Sequence, residues 1–388
     1  MAESSLTIPA CVFWLGLALL VYAFAGYPVV LRLLNLALRP RPEEAHAPGE
    51  APSLSCIIVV HNEESRIGAR LRNLADCAYI GEREILLVCD GCTDSTAETA
   101  RRFDPGFPLR ILEQGERTGK ATALNLAAKE ATGEILVFGD ARQRFAPDAI
   151  DRLVDRLRRN PSAAAVSGSL EIEASEDGPA AGLDLYWRLE KWIRNEESKR
   201  DSVIGCTGAI YAMRREDYRP LPEDTLIDDV VQPMQALVRG RRILFEPTAV
   251  AYDPQTLETH HEKRRKVRTL AGNYQMLFRH PRWLVPRGNR CWWQLISHKY
   301  LRLGGPLYLV ATLAGALALA PSSAFFRLVL AAQILAYLAA VAGISPALRR
   351  CRLFSIPAGF LFLQVQSARA LLHYVQLRRG GSGGGGSW

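Results

Sequence analysis

Apolar residues are distributed along this chain in two ways. Residues 8–38 (IPACVFWLGLALLVYAFAGYPVVLRLLNLAL) carry almost no charge, and residues 303–320 and 324–343 are two further such runs, joined by Pro321-Ser322-Ser323. A helix needs roughly 20 apolar residues to cross the hydrocarbon core of a bilayer, so each run predicts a span, the last two as a hairpin. Residues 354–377 form a third C-terminal candidate, interrupted by Gln364, Gln366, Arg369 and His373. That segment either spans or lies in the interface with its polar face wet.

Between the ends the period changes. Short β-branched or apolar runs at Leu54–Val60, Glu84–Cys89, Leu109–Leu112 and Glu134–Phe138 predict strands. Helical periodicity follows each one, over Glu63–Cys77, Asp94–Phe103, Lys120–Lys129 and Pro147–Arg158. Alternation with short connections predicts a parallel α/β sheet with helices on both faces. Ligands of such sheets bind beyond the carboxyl ends of the strands, so chemistry is expected in the loops after each strand.

These patterns divide the chain into an anchor (1–39), a Pro-rich linker (40–53) and an α/β domain (54–280). An interfacial amphipathic region (281–302), membrane helices (303–379) and a Gly/Ser-rich flexible tail (380–388) complete it. Region 282–302 mixes Trp283, Trp292, Trp293 and Tyr300 with Arg282, Arg287, Arg290, Lys299 and Arg302, a composition suited to the headgroup layer. Ala23-Phe24-Ala25 resembles a signal-peptide cleavage box. The residues before it hold no basic side chain and include Glu3, which favours a retained anchor. Arg32, Arg39 and Arg41 after the anchor, and Arg349, Arg350 and Arg352 after the hairpin, place the middle domain in the cytoplasm.

Composition refines this picture. With 388 residues and 48% hydrophobic side chains the chain has ample material for a core, which excludes a disordered protein. Lysine and arginine number 48 against 40 acidic residues, a net charge of +8. The cations cluster beside the apolar runs, so anionic lipid is a simpler partner than nucleic acid, which is not expected. The eight cysteines are scattered, and Cys89-x-x-Cys92 lacks a second pair for zinc. No intramembrane acidic pairs or inverted repeats suggest a transporter.

The loops after the strands hold His61-Asn62-Glu63-Glu64, Asp90-Gly91-Cys92-Thr93-Asp94 and Gly139-Asp140-Ala141-Arg142, and Gly119-Lys120 through Asn125 opens a helix. Carboxylates at strand ends bind ribose hydroxyls, a base edge or a hard divalent cation. A lysine at a helix N-terminus meets phosphate. Together they suit a nucleoside diphosphate with a metal ion. Each alone has a plainer use: Asp94 before a helix is an ordinary N-cap.

In these motifs, over about residues 54–280 and in the membrane layout, the chain resembles the membrane-bound GT-A glycosyltransferases of family 2. That group contains cellulose, hyaluronan and chitin synthases and related exopolysaccharide and glycolipid enzymes. The resemblance implies a GT-A, Rossmann-like α/β fold with flanking transmembrane helices. It implies a nucleotide-sugar site at Asn62, Glu63, Asp90, Gly91, Lys120, Asn125, Asp140 and Arg142. Asp140 takes the first place of the D-x-D motif and would face Mg2+ or Mn2+. Gly205-Cys206-Thr207-Gly208 resembles the acceptor-side loop. Leu226-Ile227-Asp228-Asp229 resembles the T-E-D signature, whose final Asp is the general base. Arg264–Gly272 resembles the Q-x-x-R-W element.

Two departures stand out. The D-x-D reads Asp140-Ala141-Arg142, so Arg142 either pairs with the diphosphate or points to solvent. At Q-x-x-R-W, Arg265, Arg268 and Thr269 stand for Gln, Arg and Trp, which removes the ring on which a sliding polymer would rest. The implied activity is inverting transfer from a nucleotide-diphosphate sugar, a UDP-sugar foremost, to a lipid or glycan acceptor at the cell (inner) membrane. Asp229 would be the base, Asp228 a capping or acceptor-binding group, and Gly208, Arg265 and Arg268 would serve acceptor and diphosphate. The alternatives are a processive exopolysaccharide synthase, in which a second copy or an export partner completes a pore, and a non-catalytic nucleotide sensor.

Overall fold

The computed structural model describes residues 2–38, 50–173, 181–254, 259–345, 347–348 and 350–379. Most of the linker and the tail therefore lie outside the described residues. The chain opens with α1 (Ala2–Val21), a π-helical turn over Tyr22–Gly26, and α2 (Tyr27–Ala37). Residues Thr7–Ala37 together form one apolar helix of 31 residues, long enough to cross a membrane. The wider turn precedes Pro28, which has no N–H to continue the regular ladder.

The α/β domain follows as β1 (Leu54–Val60), α3 (Glu64–Asp76), β2 (Arg83–Asp90), α4 (Thr96–Arg101), β3 (Leu109–Gln114), α5 (Lys120–Glu130) and β4 (Ile135–Phe138). Next come β5 (Arg144–Phe145), α6 (Ala149–Arg158), β6 (Ala163–Ile172), α7 (Ala181–Arg200), β7 (Tyr211–Arg214), α8 (Asp228–Leu237) and β8 (Arg242–Asp253). One eight-stranded sheet has the order β3-β2-β1-β4-β7-β6-β8-β5. Every residue of β1 is buried, as a central parallel strand requires. Its side chains alternate: Ile57 and Val59 pack with α5 and α8, whereas Cys56, Ile58 and Val60 pack with α3, α4 and α6.

The parallel pairing expected from the alternation holds for β3, β2, β1 and β4, and β6 also pairs in parallel with β8. Strand β7 runs antiparallel to both β4 and β6, and β5 runs antiparallel to β8. The alternation read from the sequence stops at residue 158, which leaves β7 outside it, and β5 is only two residues long, too short to show a period. Strand order reverses between β1 and β4, the place where sheets of this kind form a crevice beyond the strand ends.

Beyond the sheet, α9 (Thr259–Arg279) leads into a 3-10 turn over Pro281–Leu284, α10 (Trp292–Gln294), a π-helical stretch Leu295–Tyr300 and α11 (Leu301–Leu303). The chain ends in α12 (Gly305–Leu319), α13 (Ala324–Ala342) and α14 (Arg352–Arg379). Region 281–302 is thus a series of short helical pieces and not one continuous helix. Trp283, Cys291 and Leu295 join the core beneath the sheet, and two of the cations pair with acids: Arg290 donates to Asp201 at 3.0 Å and Arg302 to Glu190 at 3.0 Å. Among the described residues, Thr7–Ala37 and α13 are long and apolar enough to cross a membrane. Trp292–Leu303 and α12, bent by 59°, make a third if they count as one span. Helix α14 does not meet that measure; it packs along α9, α13 and α7.

The anchor is fastened to the α/β domain through α7. Tyr27 donates its hydroxyl to the buried Glu197 at 2.5 Å. His298 lies 2.8 Å from the same carboxylate oxygen and 3.0 Å from Glu190, and Asn35 donates to Glu196 at 3.0 Å.

Candidate functional site

The loops after β1, β2 and β3 are stitched to one another. Asn62 stands at φ 54°, a left-handed conformation that Asn tolerates. Its side chain accepts from the Thr93 N–H at 2.8 Å and donates to the Thr93 hydroxyl at 3.1 Å. Asp94 accepts from the N–H groups of Thr96 and Glu64, each at 3.1 Å, tying the starts of α4 and α3 together. Glu63 pairs with Arg66 at 2.9 Å, and its N–H donates to the Thr96 hydroxyl. Asp90 is fully buried and takes the N–H of Thr118 at 2.6 Å and of Gly119 at 2.9 Å. Gly91 sits at φ 62°, and a Cβ there would lie 2.5 Å from the backbone nitrogen of Arg117.

These positions therefore shape the crevice floor. The side chains of Glu63, Asp90 and Asn125 all make hydrogen bonds within the fold. Asn125 is turned inward, accepting from Leu221 N–H at 2.8 Å and from the Tyr218 hydroxyl at 3.0 Å while donating to the Leu221 carbonyl. A short amide at the second turn of α5 reaches the chain beside it sooner than the crevice.

The charged centre is assembled around Lys120, the first residue of α5. Its ammonium donates to Asp140 at 2.9 Å and stands 3.5 Å from Asp228. Burial opposes that charge, but Asp140 and Asp228 outweigh it and hold the amine above its ordinary pKa. Asp140, at the end of β4, keeps 43% of its side chain exposed. Beneath it the guanidinium of Arg70, buried on α3, lies 3.9 Å over the Phe145 ring. Gly139 leaves room for this cation: a Cβ there would meet Arg70 Nη2 at 2.6 Å.

Asp229, in the first turn of α8, accepts the Gly208 N–H at 2.8 Å, and its own carbonyl accepts from Cys206 N–H at 2.8 Å. The 205–208 loop is thereby laced to Asp229, and Gly205, at φ 81°, passes close over Val230. Burial, then the adjacent Asp228, pushes the Asp229 carboxyl up to about 6, against the pull of Lys120, Lys299 and the Gly208 N–H. A carboxylate with that affinity takes up and releases a proton near neutrality.

Arg142 does not point freely to solvent. It pairs with Asp253 at the end of β8, where Gln143 also donates, at 3.0 Å. Pairing of β5 with β8 brings residues 142–143 alongside that carboxylate. Arg265 is exposed on α9, and Arg268 is half-buried. Their helix docks beside Asp229 through Gly272, where a Cβ would meet the Ile227 side chain at 2.5 Å. Gln275 fastens the same contact by accepting Leu226 N–H at 3.1 Å and donating to the Asp224 carbonyl at 2.8 Å. The side chain of Arg264 lies outside the described residues.

Sequence reasoning missed Arg70, Asp253, Gln275 and Lys299. No local motif marks them, since each reaches the site by tertiary pairing. Gly272, which closes the segment resembling Q-x-x-R-W, was the one available signal for the docking of α9.

Comparison with known proteins fits this geometry. Residues 55–221 match the model of glycosyl transferase family 2. In this stretch the chain is similar to the family 2 glycosyl transferases. The match takes in the crevice loops, Lys120, Asp140 and Gly208, and ends before Asp228 and Asp229. Two curated relatives are named poly-β-1,6-N-acetyl-D-glucosamine synthase. The one from Staphylococcus aureus is 25% identical over 237 residues, 59% of this chain and 57% of its own. The one from Staphylococcus epidermidis is 23% identical over the same shares. The chain thus spans little more than half the length of these relatives. In fold, the α/β domain and its flanking helices are similar to the mannosyltransferase PcManGT from Pyrobaculum calidifontis, solved with GDP-Man and Mn2+. The TM-score is 0.71 at 24% identity, over 92% of this chain and 99% of that one.

Proposed function

We propose that the protein is an inverting glycosyltransferase that moves a sugar from a nucleoside-diphosphate sugar to a lipid or glycan acceptor held at the membrane. The observation that carries this reading is the junction of Lys120, Asp140, Asp228 and Asp229, brought from three separate segments to one edge of the sheet. Asp229 accepts the proton of an acceptor hydroxyl as that oxygen bonds to the anomeric carbon. The bond from that carbon to the diphosphate breaks, and its electron pair leaves with the nucleotide on the opposite face. No covalent intermediate is needed, so one carboxylate base suffices. Lys120 meets charge on the departing diphosphate, and Gly208 N–H keeps Asp229 oriented. Arg265 and Arg268, on the docked helix α9, serve the acceptor side and the diphosphate.

Asp140 is the residue that would hold a divalent cation, Mg2+ or Mn2+. Among the described residues no group of three His, Cys, Asp or Glu surrounds a cation position. A cation held by one carboxylate together with substrate phosphates and water is an ordinary Mg2+ arrangement, and the exposed Asp140 fits it. When bound, the ion would neutralise charge on the leaving diphosphate. The anchor and α13 support a membrane-resident acceptor, and the arginines flanking the spans support a cytoplasmic α/β domain.

A processive exopolysaccharide synthase is the second reading, supported by the polymer named for the Staphylococcus relatives. Against it stands Thr269, whose hydroxyl is spent on the Arg265 carbonyl at 3.0 Å where the resemblance expects a sugar-stacking ring. The test is to incubate the purified protein in lipid with UDP- and GDP-sugars and Mn2+. Product mass and anomeric configuration are then read. A single sugar added with inverted configuration supports the proposal, and a ladder of masses supports the synthase. Neither transfer nor hydrolysis across the donor panel would overturn both.

A further inference from the structure

A cavity lies where α14 ends against the end of α9. It measures about 290 Å3 and is lined by Phe278, Leu371, Tyr374, Val375, Arg378 and Arg379. Phe278 and Tyr374 stack face to face, centroids 5.6 Å apart at 4°, and form one wall. Phe278 nevertheless stays 56% exposed and Leu371 40% exposed, so the cavity opens outward. Leu371, Val375, Arg378 and Arg379 follow one another at i, i+4, i+7 and i+8, along one face of α14.

That face has a lengthwise order. Its apolar part precedes its cationic part, over roughly 11 Å of helix. Cations at a helix C-terminus are favourable in themselves, through the exposed carbonyls of the last turn. That account does not explain an open apolar cavity directly before them. Nor is either guanidinium held by an ion pair among the described residues, whereas neighbouring Arg279 is taken by Asp224. An apolar slot capped by two uncommitted arginines matches, end to end, an acyl chain leading to a phosphate.

We propose that this cavity is a binding site for an anionic phospholipid, with an acyl segment against Phe278, Leu371, Tyr374 and Val375 and the phosphate on Arg378 and Arg379. The chain carries helices able to cross a bilayer, which would bring phospholipids within reach. Guanidinium forks suit phosphate oxygens, whereas the zwitterionic headgroup of phosphatidylcholine brings its own cation. The inference does not depend on the reaction assigned to the crevice.

The experiment is native mass spectrometry of the full chain in detergent, titrated with phosphatidylglycerol or phosphatidylcholine of identical acyl chains. One phosphatidylglycerol should be retained in preference to phosphatidylcholine. Each arginine replaced by Gln should weaken retention by about fivefold, and the pair R378Q/R379Q by roughly 25-fold. V375W should block retention while leaving both cations in place, and millimolar inorganic phosphate should not displace the lipid. Circular dichroism of each variant confirms folding. Equal retention of the two lipids, or undiminished retention by R378Q/R379Q or by V375W, would overturn the proposal. Displacement by phosphate alone would do the same, by marking a simple anion site.

Discussion

Replacing Asp229 by Asn separates what this carboxylate does for catalysis from what it costs the fold. The substitution keeps size and shape, and the amide oxygen can still accept the Gly208 N–H. What disappears is a charge beside Asp228 in a place where the carboxyl is pushed from 3.8 to about 6. A shift of about two pH units corresponds to on the order of 3 kcal/mol. The sign follows from the direction. Because the folded protein holds this proton more tightly than the unfolded chain, stability falls as the pH rises from 3.8 to about 6 and stays lowered above it. Asn has no proton to lose. The variant should therefore be more stable than the parent near neutral pH, by up to ~3 kcal/mol, with the difference closing towards pH 4. Activity should move the other way. Loss of a general base lowers turnover by roughly 10²–10⁴-fold, or about 3–5 kcal/mol of transition-state stabilisation, while donor affinity stays nearly constant. Thermal unfolding across pH and nucleoside-diphosphate release measure the two effects on one preparation. A variant that retains more than a tenth of the activity, or whose stability gain does not depend on pH, would refute the assignment.

In the parent protein, the rate at limiting substrate should fall about tenfold per pH unit below about 6, as Asp229 is protonated; a flat profile would show that another group is the base. Lys120→Met leaves Asp140 and Asp228 facing each other without their shared cation, so calorimetry should record at least a tenfold loss of nucleoside-diphosphate affinity, with partial recovery in Lys120→Arg. Gly272→Ala drives a methyl into Ile227 and should cost about 1–3 kcal/mol and much of the turnover; Ile227→Ala in the same chain should restore part of both, measured by thermal unfolding and rate. Glu197→Ala strips Tyr27 and His298 of their shared acceptor, and the drop in stability should be about 3–5 kcal/mol, read as a lower unfolding temperature in lipid. Metal alone should bind weakly and bind better with nucleoside diphosphate, because one carboxylate supplies few ligands; Mn2+ titration followed by electron paramagnetic resonance compares the two.

Much of this architecture is written in local sequence. Strand β1 was predicted at its observed bounds because a run such as LSCIIVV, bounded by Pro-Ser and His-Asn, has few other fates. The anchor was equally plain, since a long uncharged run is a property of composition alone. Lys120 and Asp140 stand out in the sequence because they follow strand–helix boundaries of the alternation, whereas Asp229 is marked only by the resemblance to the T-E-D signature.

What a side chain touches was not legible, because partners come from elsewhere in the chain. Asp90 reads as a ligand yet grips Thr118 and Gly119. Asn125 reads the same way yet closes on Leu221, and Arg142 finds Asp253 more than a hundred residues away. The tryptophans and arginines of 282–302 suggested a membrane surface, but Trp283 and Leu295 found a core to enter and Arg290 an acid to pair with. Periodicity and composition are summed over neighbours in sequence and so determine elements and their faces. The contacts of a polar group depend on which donor or acceptor the fold brings within about 3 Å, and only tertiary structure decides that.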